Sequence, residues 1–513
     1  MTFKDRFGLS GMTMISVILG VFMAVLDSSV VNVAIPKMMS VFATDQSTIE
    51  WVVTGYMLTV GMLTPVSGYL ADRFGAKTMY LFALAFFVAG SALCGAAWSA
   101  SSIIVFRVIQ AIGGALLMPI SMTILFSLSK AEKRGFIMGL WGIAIMFAPA
   151  FGPTLSGYIV QYLDFRLIFY INVPIGIINL FIAEMFIPKL PARDAGKFDI
   201  PGFISSLVGF FCLLYALSDA PTSGWGSIKI ISLFVVAGIS LSLFVVFELT
   251  TERPMVDLRL FKIRAFLASN VAVSFMTLGM MGALFVLPVF LQNGIGLTPL
   301  QTGILTMPGA LLTAALMPIS GTLFDKIGAR PLAFVGFTTM LVGSLLLINL
   351  NVNWSYFSIM AVYMVRQAGM GLSSMPLSTA GMNAVPPRQV NQASALQNTL
   401  RNVAGSMGAA VLGTVMQTHG SFSLATYMEH ISVQSLQKIS AYGLHPSVYG
   451  VTNQGDMLRL MGVLRQIAFQ NGVREAFIIA AIVAAVALVS SLFIGKKQVH
   501  AASGEKHAVA VEF

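Results

Sequence analysis

Two charged side chains stand inside long apolar runs in the first quarter of the chain. Asp27 interrupts the run from about Gly11 to Ile35, and Arg107 interrupts the run that begins near Ser101. A charge in apolar surroundings is costly unless it faces a cavity or a partner, so it marks a candidate functional site. A carboxylate that is neutral when desolvated and ionised when it meets water or arginine can carry a proton. We expect this chemistry; a permanent ion pair, or an Asp27 that caps a break in its helix, are the structural alternatives.

Helix geometry brings these two charges to a similar depth. At 1.5 Å per residue, Asp27 lies roughly 24 Å from the start of its run, in the last third of a helix that crosses a bilayer. Arg107 lies roughly 9 Å into a helix that would enter from the opposite side. The sequence therefore predicts that Asp27 and Arg107 are neighbours.

A ten-residue segment occurs twice with the same pattern. Residues 68–77 read GYLADRFGAK and residues 321–330 read GTLFDKIGAR, so that Gly68, Asp72, Arg73 and Gly75 each have a counterpart of the same type. A second echo pairs Gln110 and the Met-Pro step at 118–119 with a glutamine and a Met-Pro step at 367 and 375–376. Parallel repeats of this kind predict two bundles with a site between them, and acidic and basic turn residues that could latch helix ends in two states. Ordinary solvent-exposed turns are the alternative.

The fifth apolar run combines proline with glycine. It holds Pro149, Gly152, Pro153 and Gly157. Proline removes a backbone hydrogen bond and glycine permits close helix approach, which favours a conformational role for this helix over plain packing.

The composition requires these runs to cross a membrane. Of 513 residues, 57% are hydrophobic and 10% are charged, whereas a soluble protein carries about a quarter charged residues. Runs of about 20 apolar residues span a bilayer, and about fourteen such runs are present. They begin near Gly11, Ile49, Lys77, Ser101, Phe136, Arg166, Pro201, Ile228, Phe266, Pro299, Pro331, Tyr356, Ser394 and Glu475.

The distribution of lysine and arginine predicts sidedness and domains. Short loops rich in these residues stay cytoplasmic, and an even number of spans with both termini inside places most of them there. We expect an N-terminal six-helix bundle at 1–190, two extra peripheral spans at 191–262, and a C-terminal bundle at 263–497. The second bundle would include a long outer loop at 418–474, and a cytoplasmic tail at 498–513 would follow.

Several functional classes are disfavoured. The chain has no Gly-x-x-x-x-Gly-Lys-Ser/Thr phosphate loop, no His-Glu-x-x-His and no Cys-x-x-Cys, so we expect no ATPase, metal site, cofactor or enzymatic activity. The net charge is +10, but the basic residues punctuate apolar runs instead of forming one patch, which argues against nucleic acid as a partner. Energy for any transport would come from a gradient.

The motifs together resemble those of the major facilitator superfamily, and specifically its fourteen-helix drug:proton antiporters. Residues 26–36, LDSSVVNVAIP, resemble the first-helix motif of that subfamily, and residues 68–77 resemble the loop motif of the superfamily. Residues 107–114, RVIQAIGG, resemble the fourth-helix motif, with Ala111 where glycine is usual. Residues 152–157, GPTLSG, resemble the fifth-helix motif of exporters, with Ser156 where glycine is usual.

This resemblance implies an all-α integral membrane protein of the bacterial inner membrane. It would export drugs or other small amphipathic compounds in exchange for protons, with Asp27 and Arg107 carrying the coupling and residues 149–157 the rocking movement. An importer, or a membrane sensor of the same fold that does not transport, are alternative functions. A periplasmic adaptor would be compatible with the sequence, which holds no signal for or against one.

Helix positions suggest which residues line a substrate cavity, with packing in the core as the alternative role for each of them. These are Asn32, Tyr56, Gln110, Met118 and Arg366. Arg366 and Arg401 both lie deep in their runs, where each could bind either an anionic group of a substrate or a backbone carbonyl.

Overall fold

A computed structural model describes residues 10–193, 196–429 and 454–493 of the chain. In these residues the secondary structure is helical, with short turns between the helices. Fourteen long helices or helical spans, α1 to α14, follow one another. The first eight are Gly11–Phe42, Gln46–Phe74, Ala76–Gly95, Ala100–Leu128, Arg134–Tyr162, Leu167–Phe186, Ile200–Ser223 and Ile228–Thr250. The remaining six are Arg264–Val289, Pro299–Ile327, Ala329–Leu347, Tyr356–Asn383, Val390–Glu429 and Gln454–Ser491.

Twelve of these helices are long and apolar enough to cross a membrane. The other two, α12 and α13, have 28 and 40 residues and are less apolar because they bury polar side chains such as Arg366 and Gln397. All fourteen predicted spans therefore correspond to helices, which confirms the all-α membrane fold. The start predicted near Glu475 was wrong, since α14 begins at Gln454.

Local sequence signals explain where several helices begin. Ser99 starts α4 with a reciprocal capping box to Ser102, and Thr298 starts α10 with one to Gln301. Such caps satisfy backbone donors that have no partner within the helix. Gly75 and Gly328 end the two repeated turns at φ 84° and 83°, a backbone conformation that favours glycine. The same physical requirement explains why glycine occurs at both copies.

The two halves of the molecule, α1–α6 and α9–α14, meet at one end of the bundle. We call this end the turn face because it carries the turns of Asp72 and Asp325. The largest buried core contains Trp141 of the first half together with Met317 and Met382 of the second. Toward the opposite end, one core around Phe169 and another around Leu287 are each built within a single half. The structure is thus the conformation in which the turn face is closed.

The two extra helices differ from each other. Helix α8 is mostly exposed, since only 17% of its most apolar stretch of 18 residues is buried. It packs on α7 and is therefore peripheral, as expected. The same expectation was wrong for α7, which contacts α2 and α13. A Cβ on Gly61 would lie 2.1 Å from Leu214, and Trp225 Nε1 donates to Thr414 Oγ1 at 2.9 Å. Helix α7 therefore bridges the two halves.

The predicted outer loop at 418–474 is partly helical. Helix α13 continues to Glu429 and α14 already begins at Gln454, so both ends of the segment extend spanning helices. Residues 430–453, and the predicted tail at 498–513, lie outside the described residues. The domain boundaries at 190, 262 and 497 stay predictions.

Candidate functional site

Asp27 and Arg107 meet in the interior of the first half, as their depths predicted. Arg107 Nη1 donates to Asp27 Oδ2, and both residues are fully buried. The carboxylate is further held by two amides: Gln110 Nε2 and Asn172 Nδ2 each donate to Asp27 Oδ1 at 2.9 Å. Three donors from α4 and α6 thus surround one carboxylate of α1, so both of its oxygens have hydrogen-bond partners.

The guanidinium of Arg107 has other contacts besides Asp27. Its Nε donates to the carbonyl of Val52 at 3.1 Å, and its Nη1 also donates to Gln110 Oε1 at 2.6 Å. The ring of Tyr56 lies over it, with the centroid 4.2 Å from Cζ. Its Nη2 atom is buried and has no hydrogen-bond partner in the described residues. The arginine would therefore keep several favourable contacts if Asp27 became neutral.

Sequence reasoning missed two members of this network. Asn172 holds the carboxylate directly, and Ser91 Oγ accepts from Gln110 Nε2 at 2.7 Å, which orients that amide. Both are buried polar residues in otherwise apolar runs, Ser91 in α3 and Asn172 in α6. That pattern was the available signal, but uncharged residues of this type are common in membrane helices and do not reveal which partner they face.

Helix α5 is in close contact with α1 one turn beyond Asp27. A Cβ on Gly152 would lie 1.9 Å from Ser29 Oγ, and Ser156 Oγ donates to the carbonyl of Val30 at 2.6 Å. Ser156, which stands where glycine was expected, is therefore a hydrogen-bonding contact of its own. Pro149 lies in the same helix and is partly exposed.

The tight contact expected at Gly157 is absent from this conformation. A Cβ there would meet no heavy atom of the described residues within 4 Å, because Gly157 does not face the α1 contact that Gly152 and Ser156 make. The close helix approach that glycine permits is thus not used at Gly157 in this conformation. The side chain of Pro153 lies outside the described part of the structure.

The two repeated turns each place a carboxylate at the start of a helix of the other half. Asp325 accepts from the backbone N–H groups of Gly135 at 2.9 Å and Phe136 at 3.1 Å, which begin α5. Asp72 accepts from Asn391 Nδ2 at 2.6 Å, in the first turn of α13. A helix N-terminus carries partial positive charge and favours a carboxylate. Both turns therefore hold the turn face closed.

Two other residues of the first turn make different contacts. Gly68 allows close approach, since a Cβ there would lie 2.9 Å from Gln392 Cα in the opposite half. Arg73 Nη1 donates to Tyr69 Oη at 2.7 Å and to the carbonyl of Gly196 at 3.1 Å, which ties the turn to the segment after α6. Gly68 thus contacts the opposite half, whereas the contacts of Arg73 stay outside it, and the latch stays a prediction.

The structure also shows the internal repeat. A Cβ on Gly113 would lie 2.3 Å from the carbonyl oxygen of Ala83, and a Cβ on Gly369 would lie 2.3 Å from that of Gly336. These residues join α3 to α4 and α11 to α12 in the same way. The two halves therefore share one internal packing scheme.

A family model described as Major Facilitator Superfamily matches residues 17–409, well over half of the chain. This chain belongs to the major facilitator superfamily. It is a multi-pass membrane transporter of that family.

Curated relatives of this transporter include drug-resistance proteins. It is 32% identical over 475 residues to a Listeria monocytogenes protein named lincomycin resistance protein LmrB, covering 93% of this chain and 94% of that one. It is 30% identical over 423 residues to the Bacillus subtilis multidrug transporter protein MdtP, covering 82% and 78%. An uncharacterized transporter of the superfamily from Bacillus subtilis, YhcA, is 38% identical over 442 residues, covering 86% and 83%.

Solved structures show the same fold at low identity. The proton:xylose symporter XylE superimposes with a TM-score of 0.60 at 14% identity, covering 94% of this transporter and 96% of that chain. The human organic anion transporter MFSD10 gives 0.58 at 13% identity, covering 94% and 99%. Because identity is so low, these two comparisons bear on the architecture alone.

The residues predicted to line a substrate cavity lie in different surroundings in this transporter. Tyr56 and Gln110 belong to the network around Arg107 and Asp27. Asn32 is exposed and donates to the carbonyl of its own helix at Ser28, 3.2 Å away. Met118 is partly buried against the core that joins the halves. The structure therefore brings Tyr56 and Gln110 to the charged pair and leaves Asn32 and Met118 away from it.

Arg366 lies between α11 and α12, at the position that Gln110 occupies between α3 and α4 of the first half. Its Nε donates to Ser344 Oγ at 3.2 Å and its Nη2 donates to the carbonyl of Gly279 at 2.7 Å. In the first half, Gln110 donates to Ser91 in the corresponding place between α3 and α4. The structure therefore pairs Gln110 with Arg366, and the sequence pairing of Gln110 with Gln367 was wrong by one residue. Of the two alternatives for Arg366, the structure thus shows the backbone carbonyl.

Proposed function

We propose that this transporter exports small amphipathic compounds, drugs among them, in exchange for protons, and that Asp27 carries the proton. The observation that carries the proposal is the buried Asp27 carboxylate, bonded to Arg107, Gln110 and Asn172. The names of the relatives support the substrate class, since they include a lincomycin resistance protein and a multidrug transporter.

The contacts around Asp27 give the carboxylate two workable protonation states. When it is ionised, Arg107 and the two amides balance its charge, as in the described conformation. When a proton binds, the ion pair is lost, yet Arg107 keeps the Val52 carbonyl, the Gln110 oxygen and the face of Tyr56. Arginine stays charged throughout, so the proton that enters and leaves is carried by Asp27 alone.

A continuous set of contacts joins Asp27 to the interface between the halves. Asp27 lies on α1, which contacts α5 closely at Gly152 and Ser156. Helix α5 then crosses α10 backbone to backbone, where a Cβ on Gly321 would lie 2.0 Å from the carbonyl oxygen of Gly135. Protonation that loosens α1 from α4 and α6 would reach the closed turn face through α5.

The two states then define an exchange cycle. With the turn face cytoplasmic, as the basic loops predict, the described conformation is the one closed toward the cytoplasm, and Asp27 would take up its proton from the opposite side of the membrane. Opening of the turn face would expose the site to the cytoplasm, release the proton and admit the substrate. Binding that differs between the two states couples the two fluxes, and the proton gradient supplies the energy for the cycle.

The test uses purified protein in liposomes with a pH-sensitive dye inside, and lincomycin, ethidium or the anionic 1-anilinonaphthalene-8-sulfonate as the added compound. We expect each compound to cause proton movement opposite in direction to its own flux. Asp27→Asn should abolish this coupled proton flux while the protein still inserts and binds the compound. Asp164→Asn, which removes an exposed carboxylate that is 3.7 Å from Arg166, is the matched control and should behave as wild type.

Two results would contradict the proposal. Proton flux in the same direction as the compound would make the protein a symporter, and an inward proton gradient would then drive uptake of the compound instead of export. Normal coupling in Asp27→Asn would show that another group carries the proton.

A further inference from the structure

Four buried polar atoms without a hydrogen-bond partner gather in one place in the second half. They are Ser269 Oγ and Asn270 Oδ1 of α9 and Gln397 Nε2 and Arg401 Nε of α13. Ser378 of α12 joins them, because its Oγ donates to Gln397 Oε1 at 3.0 Å. Buried polar atoms are normally satisfied, so a group of orphans within the described residues indicates a place built for a polar guest.

The four atoms belong to one site because α12 links them. Arg401 Nη2 donates to Ser378 Oγ, although the distance is long at 3.4 Å. One turn further along α12, a Cβ on Gly381 would lie 3.1 Å from Ser269 Cβ and 3.8 Å from Asn270 Nδ2. We call Asn270, Ser378, Gln397 and Arg401 the α13 polar site.

Arg401 differs from the other two arginines that lie deep in the bundle. Arg107 is paired with Asp27, and Arg366 is bonded to a hydroxyl and a carbonyl. In the described part of the chain, Arg401 has no carboxylate within 4 Å and its one hydrogen bond is the long contact to Ser378. A guanidinium without an anion in such surroundings is costly, which favours an anionic ligand.

The distribution of buried carboxylates points in the same direction. Among the described residues, three carboxylates are buried: Asp27, Asp72 and Glu248. Asp27 is already occupied by Arg107, Asp72 lies at the turn face, and Glu248 accepts from the backbone of Val256 at the end of the outlying helix α8. A cationic compound between the halves would find no free buried carboxylate there, whereas an anionic one would find Arg401.

The site lies beside the surface where the halves meet. Asn402, the next residue after Arg401, donates to Thr64 Oγ1 of the first half at 3.2 Å. Asn398 contacts Met122 Sδ of the first half at 3.8 Å. The Nε atom of Arg401 is buried, but the residue as a whole is partly exposed. A ligand bound here would touch the helix that separates from the first half when the turn face opens.

We propose that the α13 polar site binds the acidic group of an exported amphiphile, a carboxylate, sulfonate or phosphate, with Arg401 as its main donor. This rests on the proposed export function and deepens it by naming the substrate class. Gln397 Nε2 would supply a second donor, and the neighbouring hydroxyl of Ser378 would hold the guanidinium in place. Anionic amphiphiles would then be preferred over lipophilic cations.

The test compares two fluorescent probes that differ by one acidic group. 1-Anilinonaphthalene-8-sulfonate carries a sulfonate, and N-phenyl-1-naphthylamine is its uncharged parent. Binding of each is measured to the full-length protein in nanodiscs of phosphatidylcholine, with empty nanodiscs subtracted. We expect Arg401→Gln to weaken binding of the sulfonate about tenfold to a hundredfold, since charge-assisted hydrogen bonds are lost, and to change the uncharged probe less than twofold.

Further variants keep the result interpretable. Arg401→Lys retains the charge and should keep most of the sulfonate preference. Arg388→Gln makes the same change at an exposed arginine and should leave both probes unaffected. Asp27→Asn should retain the preference, so a failure of proton coupling and a failure of this inference can be told apart.

Three outcomes would overturn the inference. Equal weakening of both probes in Arg401→Gln would mean that the arginine has a structural role only. Unchanged sulfonate binding would mean that the anion binds elsewhere. A sulfonate preference that disappears when phosphatidylglycerol is added to the nanodiscs would assign Arg401 to a lipid headgroup.

Discussion

The crossing of α5 and α10 gives the sharpest prediction about the conformational change. A Cβ on Gly321 would lie 2.0 Å from the carbonyl oxygen of Gly135, and one on Gly135 would lie 2.3 Å from that of Gly321. Ordinary contact begins at about 3.4 Å, so Gly321→Ala requires the two helices to separate by about 1.4 Å. The two contacted atoms are the carbonyl oxygens of Gly135 and Gly321. Backbone atoms of this kind cannot rotate away as a flexible side chain can.

We expect this separation to disfavour the closed turn face specifically. Overpacking of a close contact costs about 1 to 3 kcal/mol. Because the two helices belong to different halves and part when the turn face opens, this cost falls on the closed state alone. The ratio of open to closed molecules should then rise about fivefold to 150-fold.

Distances between spin labels measure this ratio directly. Cysteines at the exposed positions Glu132 and Ile327 report on the separation of α5 from α10 at the turn face. The native Cys94 and Cys212 are both buried and would be replaced to give a clean background. Double electron–electron resonance should show a longer distance gaining population in Gly321→Ala.

A matched control lies in the same pair of helices. Gly157→Ala adds the same methyl group to α5 at a place where no heavy atom of the described residues lies within 4 Å, so the distance distribution should stay as in wild type. An unchanged distribution in Gly321→Ala, or an equal shift in Gly157→Ala, would refute the argument from close contact.

Two further predictions concern the turns and the repeat. Asp325→Ala removes the carboxylate that accepts from the first N–H groups of α5 from the opposite half. The loss of about 1 kcal/mol should raise the ratio of open to closed molecules about fivefold by the same resonance measurement, and no change would show that this cap does not contribute to closure. Gly113→Ala places a Cβ 2.3 Å from the carbonyl oxygen of Ala83 within one half, so it should lower the thermal midpoint of the purified protein by several degrees without changing the spin-label distances. A thermal midpoint equal to that of Gly157→Ala would contradict the second prediction.

The amino-acid sequence determined the architecture of this transporter because the bilayer allows few solutions. Apolar runs of sufficient length must be helices there, since every backbone polar group needs an internal partner. The fourteen helices could be predicted on this basis, and the depths of Asp27 and Arg107 in their helices predicted that they are neighbours. The family was identified separately, from the resemblance of four sequence motifs. The duplicated turn could be found in the sequence because each copy has an aspartate followed three residues later by a glycine, Asp72 by Gly75 and Asp325 by Gly328. Both glycines have a positive φ.

Only the tertiary structure decided how polar residues in different helices are combined. Asn172 and Ser91 were missed because an uncharged residue in an apolar run does not reveal the helix face it occupies or the partner it meets. The same ambiguity left Arg366 and Arg401 equivalent in the sequence. Packing separated them: a hydroxyl and a carbonyl satisfy Arg366, whereas the neighbours of Arg401 leave its charge available.

Close contacts were decided in the same way. Gly152 and Gly157 stand in one motif, yet a Cβ on Gly152 would clash with Ser29 and a Cβ on Gly157 would meet open space. Five residues of helix turn the second glycine about 140° away from the first, and the sequence cannot say which direction faces a neighbour. Helix formation follows from the chain locally, but the choice of facing surfaces depends on how all the helices pack together.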